Sequence, residues 1–94
     1  MNENIKLKEA IRANEIEQII VDIQEDKPKE LKLDMEEFNH FSSDVLDNIV
    51  KLHKSLKRMG GELILINVKE TPMELLVIVG LNRIIKIIRK KMPT

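Results

Sequence analysis

The segment 45–68 sets the strongest limit on what this chain of 94 residues can fold into. Apolar residues recur in its first half every three or four positions, which is the spacing of a helix with one apolar stripe. These residues are Val45, Ile49, Leu52, Leu56 and Met59. Gly60 suits the left-handed position that ends a helix, and the run ELILINV at 62–68 suits a strand buried on both faces. A helix that turns directly into such a strand is typical of parallel α/β folds.

The residues before this segment predict a strand, a helix and another strand. Ile5 and Leu7 alternate with lysines, and this partial alternation, extended toward residues 10–11, indicates a short strand. A helix is expected next, with Asn14 as its N-terminal cap and Pro28 closing it. Four isoleucines at helical spacing form its buried face, namely Ile16, Ile19, Ile20 and Ile23. The alternating segment KELKLDM at 29–35 predicts the second strand, and the loop EEFNHFSS at 36–43 leads to the long helix, expected at 44–59.

The residues after ELILINV predict a third helix and a last strand. Thr71 is the expected N-cap of this helix, with Pro72 at the first helical position, Glu74 at the third and Gly80 after the end. The segment NRIIKII at 82–88 is short and rich in β-branched residues, so it is interpreted as a strand. Residues 89–94, RKKMPT, are expected to form a basic, frayed tail.

These patterns predict a single α/β domain over residues 1–94 with the element order β-α-β-α-β-α-β. Strands that alternate with short helices pair in parallel and are joined by right-handed crossovers. We therefore expect a mostly parallel sheet of about four strands, with the helices mainly on one face.

The composition excludes several classes of function. The chain has no Cys, which excludes disulfides, thiol redox chemistry and thiolate metal sites. Two Phe, no Trp, no Tyr and a formal net charge of zero disfavour nucleic-acid binding. No segment approaches the roughly 18 apolar residues of a membrane span, and the N-terminus does not resemble a signal peptide. We therefore expect a cytoplasmic protein without direct membrane insertion.

The two halves of the sequence carry opposite charges. Residues 1–47 contain 6 Lys or Arg and 13 Asp or Glu, a net charge of −7, whereas residues 48–94 contain 10 and 3, a net charge of +7. Either these charges mix in space when the chain folds, or the molecule presents an acidic face to a basic partner.

The sequence offers little for catalysis or metal binding. His40 precedes Ser42 by two residues, but no orienting third group, G-x-S-x-G motif or glycine-rich phosphate loop accompanies the pair. His53 lies one position off the apolar stripe and is expected to be a partly exposed helix residue. The carboxylates at 34–37 together with His40 match no standard metal spacing and are interpreted as a solvated acidic loop. We expect no enzyme, no catalytic residue, no metal and no cofactor, and the alternative is an enzyme or small-ligand binder with a deep pocket near His40.

Ser42 and Ser43 lie where the long helix begins. Either side chain suits an N-cap, since a serine oxygen there accepts a hydrogen bond from a helix amide. A cap uses only one of the two. A phosphate on the other would add about two negative charges, which the helix N-terminus favours and which Asp44 and Asp47 oppose. The residues alone thus leave two hypotheses, a cap without further function and a phosphorylation switch.

Three stretches of the sequence match a known family pattern, in which h is a hydrophobic residue. LKLDMEEFNHFSS at 31–43 resembles hhLDLSxVxFIDSSG. LHKSLKRMGGELILINV at 52–68 resembles hhxxhxxxGGxLxLxxh, and PMELLVIVGLNRIIKI at 72–87 resembles VxxLLxxxGLxxIhxI, with both the glycines and the apolar spacing in place. Over about residues 31–88, and more loosely from Ile5, the chain resembles the STAS domain, the fold of bacterial anti-sigma factor antagonists.

The resemblance implies a protein–protein switch. Members of the family bind a serine kinase that is also an anti-sigma factor. The kinase phosphorylates a serine at the start of the long helix, which breaks the complex, and a phosphatase restores it. Counting back from Gly60 and Gly61 without gaps places the phosphorylated serine on Ser43, and a slip of one residue would place it on Ser42.

By the same resemblance, the partner-binding surface comprises the loop 39–44 and the start of the long helix. The start of the next helix opens on the same sheet edge in a parallel fold. The expected partner-contacting residues are Asn39, His40, Ser42, Ser43, Asp44, Asp47, Asn48 and Thr71. Leu46, near the buried stripe, is expected to support the loop.

The sequence departs from the family pattern at the switch itself. The family's DSSG is replaced by SSDV at 42–45, so the aspartate before the serines and the glycine after them are missing, and Asp44 follows Ser43. This departure favours a second hypothesis, a constitutive adaptor in a signalling complex or in a lipid-transport ABC system. The family also begins with two strands before its first helix, and this sequence has room for one. A sheet edge is therefore expected to be uncovered, which suggests a homodimer or an oligomerisation unit.

Overall fold

The computed structural model describes residues 4–6, 13–26 and 28–90. In chain order the elements are β1 (Asn4–Lys6), α1 (Ala13–Asp26), β2 (Glu30–Asp34), α2 (Ser43–Arg58), β3 (Glu62–Val68), α3 (Glu70–Ile78), a 3₁₀ turn (Leu81–Arg83) and β4 (Lys86–Arg89). The predicted alternation of strands and helices is confirmed.

The four strands form one sheet in the order β1-β2-β3-β4, and every pair is parallel. Leu33 of β2 pairs with Leu65 of β3, which pairs with Ile87 of β4. Each crossover moves one strand further in the same direction, so right-handed connections place α1, α2 and α3 on the same face of the sheet. The predicted parallel sheet with helices mainly on one face is confirmed.

The core lies between the helices and one face of the sheet. Side chains alternate along a strand, so Leu31 and Leu33 of β2 point to the same face as Leu63 and Leu65 of β3. All four are fully buried. The helices cover them with Ile23 of α1, Val45, Ile49, Leu52 and Leu56 of α2, and Leu76 of α3. The long apolar stripe predicted for α2 is therefore the centre of the core.

The turn between α2 and β3 explains the two adjacent glycines. Gly60 has a φ of 76°, the left-handed conformation expected after a helix end. Gly61 donates its N–H to the Leu56 carbonyl at 2.8 Å. A Cβ on Gly61 would lie 2.8 Å from the Pro28 carbonyl oxygen, so only glycine fits against the segment that enters β2.

The end of β3 bends away from regular pairing before α3 begins. Asn67 has a φ of 57°, a left-handed conformation that Asn tolerates better than most residues. The pairing of β3 with β4 shifts register between Leu65 and Val68 at this point. The bend directs the chain into α3 at the carboxyl end of the sheet.

Several element ends differ from the prediction. α1 begins at Ala13, so Asn14 lies inside the helix and is not its cap. α3 begins at Glu70 with Lys69 at the N-cap position, so Thr71 is the second helical residue rather than the cap. The bend at Asn67 starts this helix earlier than the side-chain signals indicate.

The predicted strand 82–88 is wrong in its first half. Gly80 has a φ of 81° and leads into the 3₁₀ turn, and β4 begins only at Lys86. Arg89 belongs to β4 and is not part of a frayed tail. The rest of that predicted tail, beyond residue 90, lies outside the described residues.

Apart from the Asn14 cap, the predictions before α2 are confirmed where the structure describes them. Ile5 pairs with Leu33 in the expected first strand, while residues 7–12 lie outside the described part. On the predicted apolar face of α1, Ile23 is buried and Ile19 is partly buried. The side chains of the other two isoleucines are not among those described.

Candidate functional site

Ser42 is the cap of α2, and Ser43 is its first helical residue. Ser42 has the extended backbone of an N-cap, and its Oγ accepts a hydrogen bond from the Val45 N–H at 3.3 Å. Its carbonyl also accepts the Leu46 N–H at 3.1 Å. Among the described residues the Ser43 hydroxyl has no hydrogen-bond partner, and Ser43 is exposed. The two serines therefore have separate roles in the structure, and the Ser43 hydroxyl is available for chemistry.

The loop before α2 is anchored by two aromatic rings. Phe38 and Phe41 are buried, and their rings meet edge to face at a centroid distance of 5.5 Å. The two residues between them, Asn39 and His40, are exposed. The rings thus fix the loop to the core and leave its polar tip in solvent.

One local and two long-range hydrogen bonds hold this loop in place. Asp34 Oδ1, at the end of β2, accepts the Glu36 N–H at 3.0 Å and the Asn67 side-chain amide at 3.2 Å. Lys69 Nζ, at the start of α3, donates to Asn39 Oδ1 at 2.9 Å. The loop is therefore fixed to the end of β3 and to the start of α3.

The third tie comes from the end of β4. Lys90 Nζ lies 2.8 Å from Glu36 Oε1, and both side chains are about two-fifths exposed, at 40% and 44%. Such an exposed ion pair contributes little to stability. It does place a second lysine against the loop that leads to Ser43.

A groove lies beside Ser43, between α2 and the turn that follows α3. It has a volume of about 310 Å³. Its lining consists of Ser43, Leu46, Asp47, Val50, Val79 and Leu81. We call this the α2–α3 groove. Four of its six residues are apolar, whereas Asp47 and Ser43 supply its polar rim.

Large apolar side chains near the groove are exposed at and after the end of α3. Ile78 is 79% exposed, and Val77 and Val79 are each 49% exposed. Ile84, after the 3₁₀ turn, is also exposed. Several large apolar side chains are thus exposed within a few residues of the groove, and exposed apolar patches are typical of sites where another molecule binds.

The structure places most of the predicted partner-contacting residues on the surface. The exposed ones are Asn39, His40, Ser42, Ser43, Asp44, Asp47 and Thr71. Asn48 is an exception, because it is only 7% exposed. Asn48 precedes the core residue Leu52 by four positions and so faces the same side of the helix. Its predicted place on the exposed surface is wrong.

His53 is buried, contrary to the prediction of a partly exposed residue. It is 8% exposed, and its Nδ1 has no hydrogen-bond partner. Burial lowers the pKa of His53 below its usual 6.5, and the positive charges of Lys57 and Lys54 lower it further. The neutral imidazole therefore belongs to the packing of α2 and lies away from the serines.

Within residues 4–6, 13–26 and 28–90, no three His, Cys, Asp or Glu side chains are grouped so that they could hold a metal ion. In the same part of the chain, no helix has the length and apolar character needed to cross a membrane.

Several residues that shape this site were not predicted from the sequence. Asn67, Lys69 and Lys90 hold the loop, and Val79 and Leu81 line the groove. The sequence does not show which oxygen of the loop a lysine side chain will bind. The glycine at 80 did mark a turn, but only the folded chain shows that this turn faces Leu46 and Asp47.

Comparisons with known proteins agree on the fold. A family model described as the STAS domain matches residues 7–91. A crystal structure of a proposed anti-sigma factor antagonist from Thermotoga maritima superposes with a TM-score of 0.70 at 20% sequence identity, covering 94% of this chain and 80% of the other. At that identity the likeness shows the fold alone. None of the curated proteins compared matches the chain significantly.

Proposed function

The chain belongs to the STAS domain family, and from this premise we propose that it is an anti-sigma factor antagonist. In this proposal it binds a serine-kinase anti-sigma factor in the bacterial cytoplasm and is released from it when Ser43 is phosphorylated. A phosphatase returns it to the binding state. It is a binding module and carries out no catalysis of its own.

The observation that supports this proposal most is that Ser42 caps α2 while the neighbouring Ser43 is exposed. Ser42 Oγ is engaged with the Val45 amide, so a kinase acting there would have to break the cap of α2. The Ser43 hydroxyl is exposed and has no partner among the described residues. The family resemblance points to the same serine.

The surroundings of Ser43 explain how a phosphate would act. The first turn of α2 presents backbone amides that favour an anion. Asp44 and Asp47 are exposed nearby, and they would meet about two additional negative charges. Ser43 also lines the α2–α3 groove, so its phosphate would place a strongly hydrated group at the rim of an apolar surface. A partner seated in the groove would then lose its contacts.

We assign the α2–α3 groove and the exposed end of α3 to the anti-sigma factor. The groove adjoins Ser43, so a kinase that modifies this hydroxyl must approach the same surface. Leu46, Val50 and Val79 would bury an apolar side chain of the partner, and Asp47 would attract a cationic one. The exposed loop residues Asn39 and His40, with Thr71, would form the polar rim of the contact.

Phosphorylation is tested by intact mass after incubation with ATP and the serine-kinase anti-sigma factor of the same cells. We expect an addition of ~80 Da to the natural chain and none to Ser43→Ala. Ser42→Ala and Ser55→Ala, the latter on α2 outside the loop, serve as controls and should both gain the mass. Loss of the addition in Ser42→Ala alone would move the site to Ser42, and no addition to any chain would contradict the switch.

Binding is tested by calorimetry with the same kinase and two matched substitutions. Val79→Asp places a charge in the groove, and Val21→Asp places one on α1, where Val21 is exposed to a similar degree, 46% against 49%. We expect Val79→Asp to abolish measurable binding and Val21→Asp to bind like the natural chain. Equal affinities would show that the partner binds elsewhere.

A second function is favoured by one feature of the site. Asp44 fixes a carboxylate immediately after Ser43 and in the first turn of α2. If this charge already acts in place of a phosphate, the chain is a constitutive adaptor of a signalling complex or of a lipid-transport ABC system. In that case, Ser43 stays unmodified in the native cells and the partner remains bound in the presence of ATP.

A further inference from the structure

A second cavity lies at the carboxyl ends of β3 and β4. Its volume is about 310 Å³. Its lining consists of Val68, Lys69, Glu70, Arg89 and Lys90. We call this the Arg89 cavity. Three of these five residues are cationic and one carries a carboxylate, and the space is large enough for a small molecule.

The backbone around the Arg89 cavity is fixed. Val68 is buried and pairs with Arg89 across the two strands. The Lys90 N–H donates to the Val68 carbonyl at 2.9 Å. The β-pairing thus holds Arg89 and Lys90 beside the chain that enters α3, so these cations start from positions set by the sheet.

The three cations differ in what they already bind. Lys69 donates to the neutral side-chain oxygen of Asn39, and Lys90 pairs with the exposed carboxylate of Glu36. Within the described residues, Arg89 is exposed and makes no ion pair. The lining therefore includes an arginine whose guanidinium is not in an ion pair, and two lysines whose ammonium groups now contact the loop through exposed interactions that are weak enough to exchange.

From this arrangement we infer that the Arg89 cavity binds the phosphate group of a small molecule. A guanidinium presents paired N–H donors that match two oxygens of a phosphate, and lysine adds a mobile positive charge. Glu70 opposes a bare anion and accepts a hydrogen bond from a hydroxyl group. The site thus favours a phosphate monoester that carries a hydroxyl group over inorganic phosphate.

Ligand binding in the Arg89 cavity is coupled to the loop before Ser43. Lys69 and Lys90 supply two of the contacts that hold this loop, at Asn39 and Glu36. A phosphate draws both ammonium groups into the cavity, and the loop loses these two contacts. This inference does not depend on the proposed anti-sigma partner, because the cavity and its ligand belong to this chain alone.

The test is a calorimetric titration of the whole chain with glycerol 3-phosphate and, separately, with inorganic phosphate at low ionic strength. Arg89→Gln removes the guanidinium, and Arg83→Gln is the matched control, since Arg83 is an exposed arginine of the 3₁₀ turn outside the cavity. We expect Arg89→Gln to bind glycerol 3-phosphate about tenfold more weakly and Arg83→Gln to bind as the natural chain does. We also expect Glu70→Gln to bind inorganic phosphate more tightly.

Two outcomes would overturn the inference. One is the absence of heat with both ligands. The other is an equal loss of affinity in Arg89→Gln and Arg83→Gln, which would mean an adventitious ion only. The coupling has its own readout, the backbone amide resonance of Asn39 in an NMR titration. It shifts at saturating ligand if Lys69 leaves the loop, and an unmoved resonance contradicts the coupling.

Discussion

α2 and α3 begin at the same edge of the sheet, yet they distribute their apolar residues differently. The apolar stripe of α2 is buried, and its outer face carries charges such as Asp47, Lys51 and Lys54. In α3 only Pro72 and Leu76 are buried, and apolar side chains also cover the outside of its last turn. The fold accounts for every apolar residue on the stripe of α2. It does not account for those at the end of α3, which is why we assign them to a partner.

The two helices also differ in how they start. α2 has a side-chain cap in Ser42, whereas Lys69 at the start of α3 makes no capping hydrogen bond. The start of α2 is therefore encoded locally, by the capping residue Ser42. The start of α3 instead follows the end of β3, where Asn67 has a left-handed backbone conformation.

The largest effect is expected for the core side of α2. Leu52 is fully buried, so Leu52→Ala should lower the free energy of unfolding by about 3 kcal/mol through lost burial and the cavity that remains. Val77→Ala on α3 removes a half-exposed side chain and should change it by less than about 0.5 kcal/mol. Urea denaturation of both variants measures the difference, and similar losses would mean that the end of α3 is part of the core.

The helix ends provide the next comparison. A Cβ added to Gly61, after α2, would lie 2.8 Å from the Pro28 carbonyl oxygen. A Cβ added to Gly80, after α3, would have no neighbouring atom within 4 Å. Gly61→Ala should cost about 2 kcal/mol through overpacking. Gly80→Ala carries only the backbone strain of its positive φ, about 1 kcal/mol. Thermal and urea unfolding measure both variants. A larger loss of unfolding free energy in Gly80→Ala than in Gly61→Ala would contradict this order.

A smaller effect separates the two helix starts. Ser42→Ala removes the hydrogen bond to the Val45 amide and should destabilise the chain by about 1 kcal/mol. Thr71→Ala should be nearly neutral, because Thr71 is the second residue of α3 and not its cap. A loss in Thr71→Ala equal to that in Ser42→Ala would restore Thr71 as the cap that the sequence indicates.

The sequence predicted those parts of the fold that are encoded by local periodicity. The stripe of α2, the buried run of β3 and the alternation in β2 each have a period that identifies the element. Gly60 and Gly80 also lie at the predicted left-handed positions. The predicted start of α3 was wrong. Thr71 is a residue type that often caps a helix, but the backbone bends at Asn67, two residues before the actual N-cap, and the helix begins earlier. The turn after Gly80 delays the start of β4.

The candidate site was predictable only in part. Ser42, Ser43 and the acidic first turn of α2 follow each other in sequence, so a local pattern could mark them. The burial of Asn48 and the apolar walls at Val79 and Leu81 arise from packing between elements far apart in the chain. Likewise, nothing in the sequence around Lys69 or Lys90 shows that both reach the loop before Ser43. Long-range contacts of this kind need the folded chain.

The smallest effect on stability is expected from His53, a buried histidine of α2 that has no counterpart in α3. Burial and the neighbouring Lys57 and Lys54 lower the pKa of His53 in the folded chain below 6.5. The unfolded chain therefore binds a proton at His53 more readily than the folded one. Stability contributed by the neutral imidazole is complete above pH 6.5 and is lost as the pH falls below this value. We expect the free energy of unfolding, measured in urea, to be lower at pH 5.5 than at pH 7.5.

A matched pair of substitutions assigns this pH dependence to the interior of α2. His53→Gln removes the buried titrating group and should flatten the decline between pH 7.5 and pH 5.5, although the variant is less well packed. His40→Gln changes an exposed histidine of the loop and should keep the decline of the natural chain. The comparison uses the slope with pH rather than the absolute stability, so the packing cost of His53→Gln does not obscure it. Equal slopes in His53→Gln and the natural chain would place the acid-sensitive group elsewhere and would leave the buried imidazole as a neutral packing residue only.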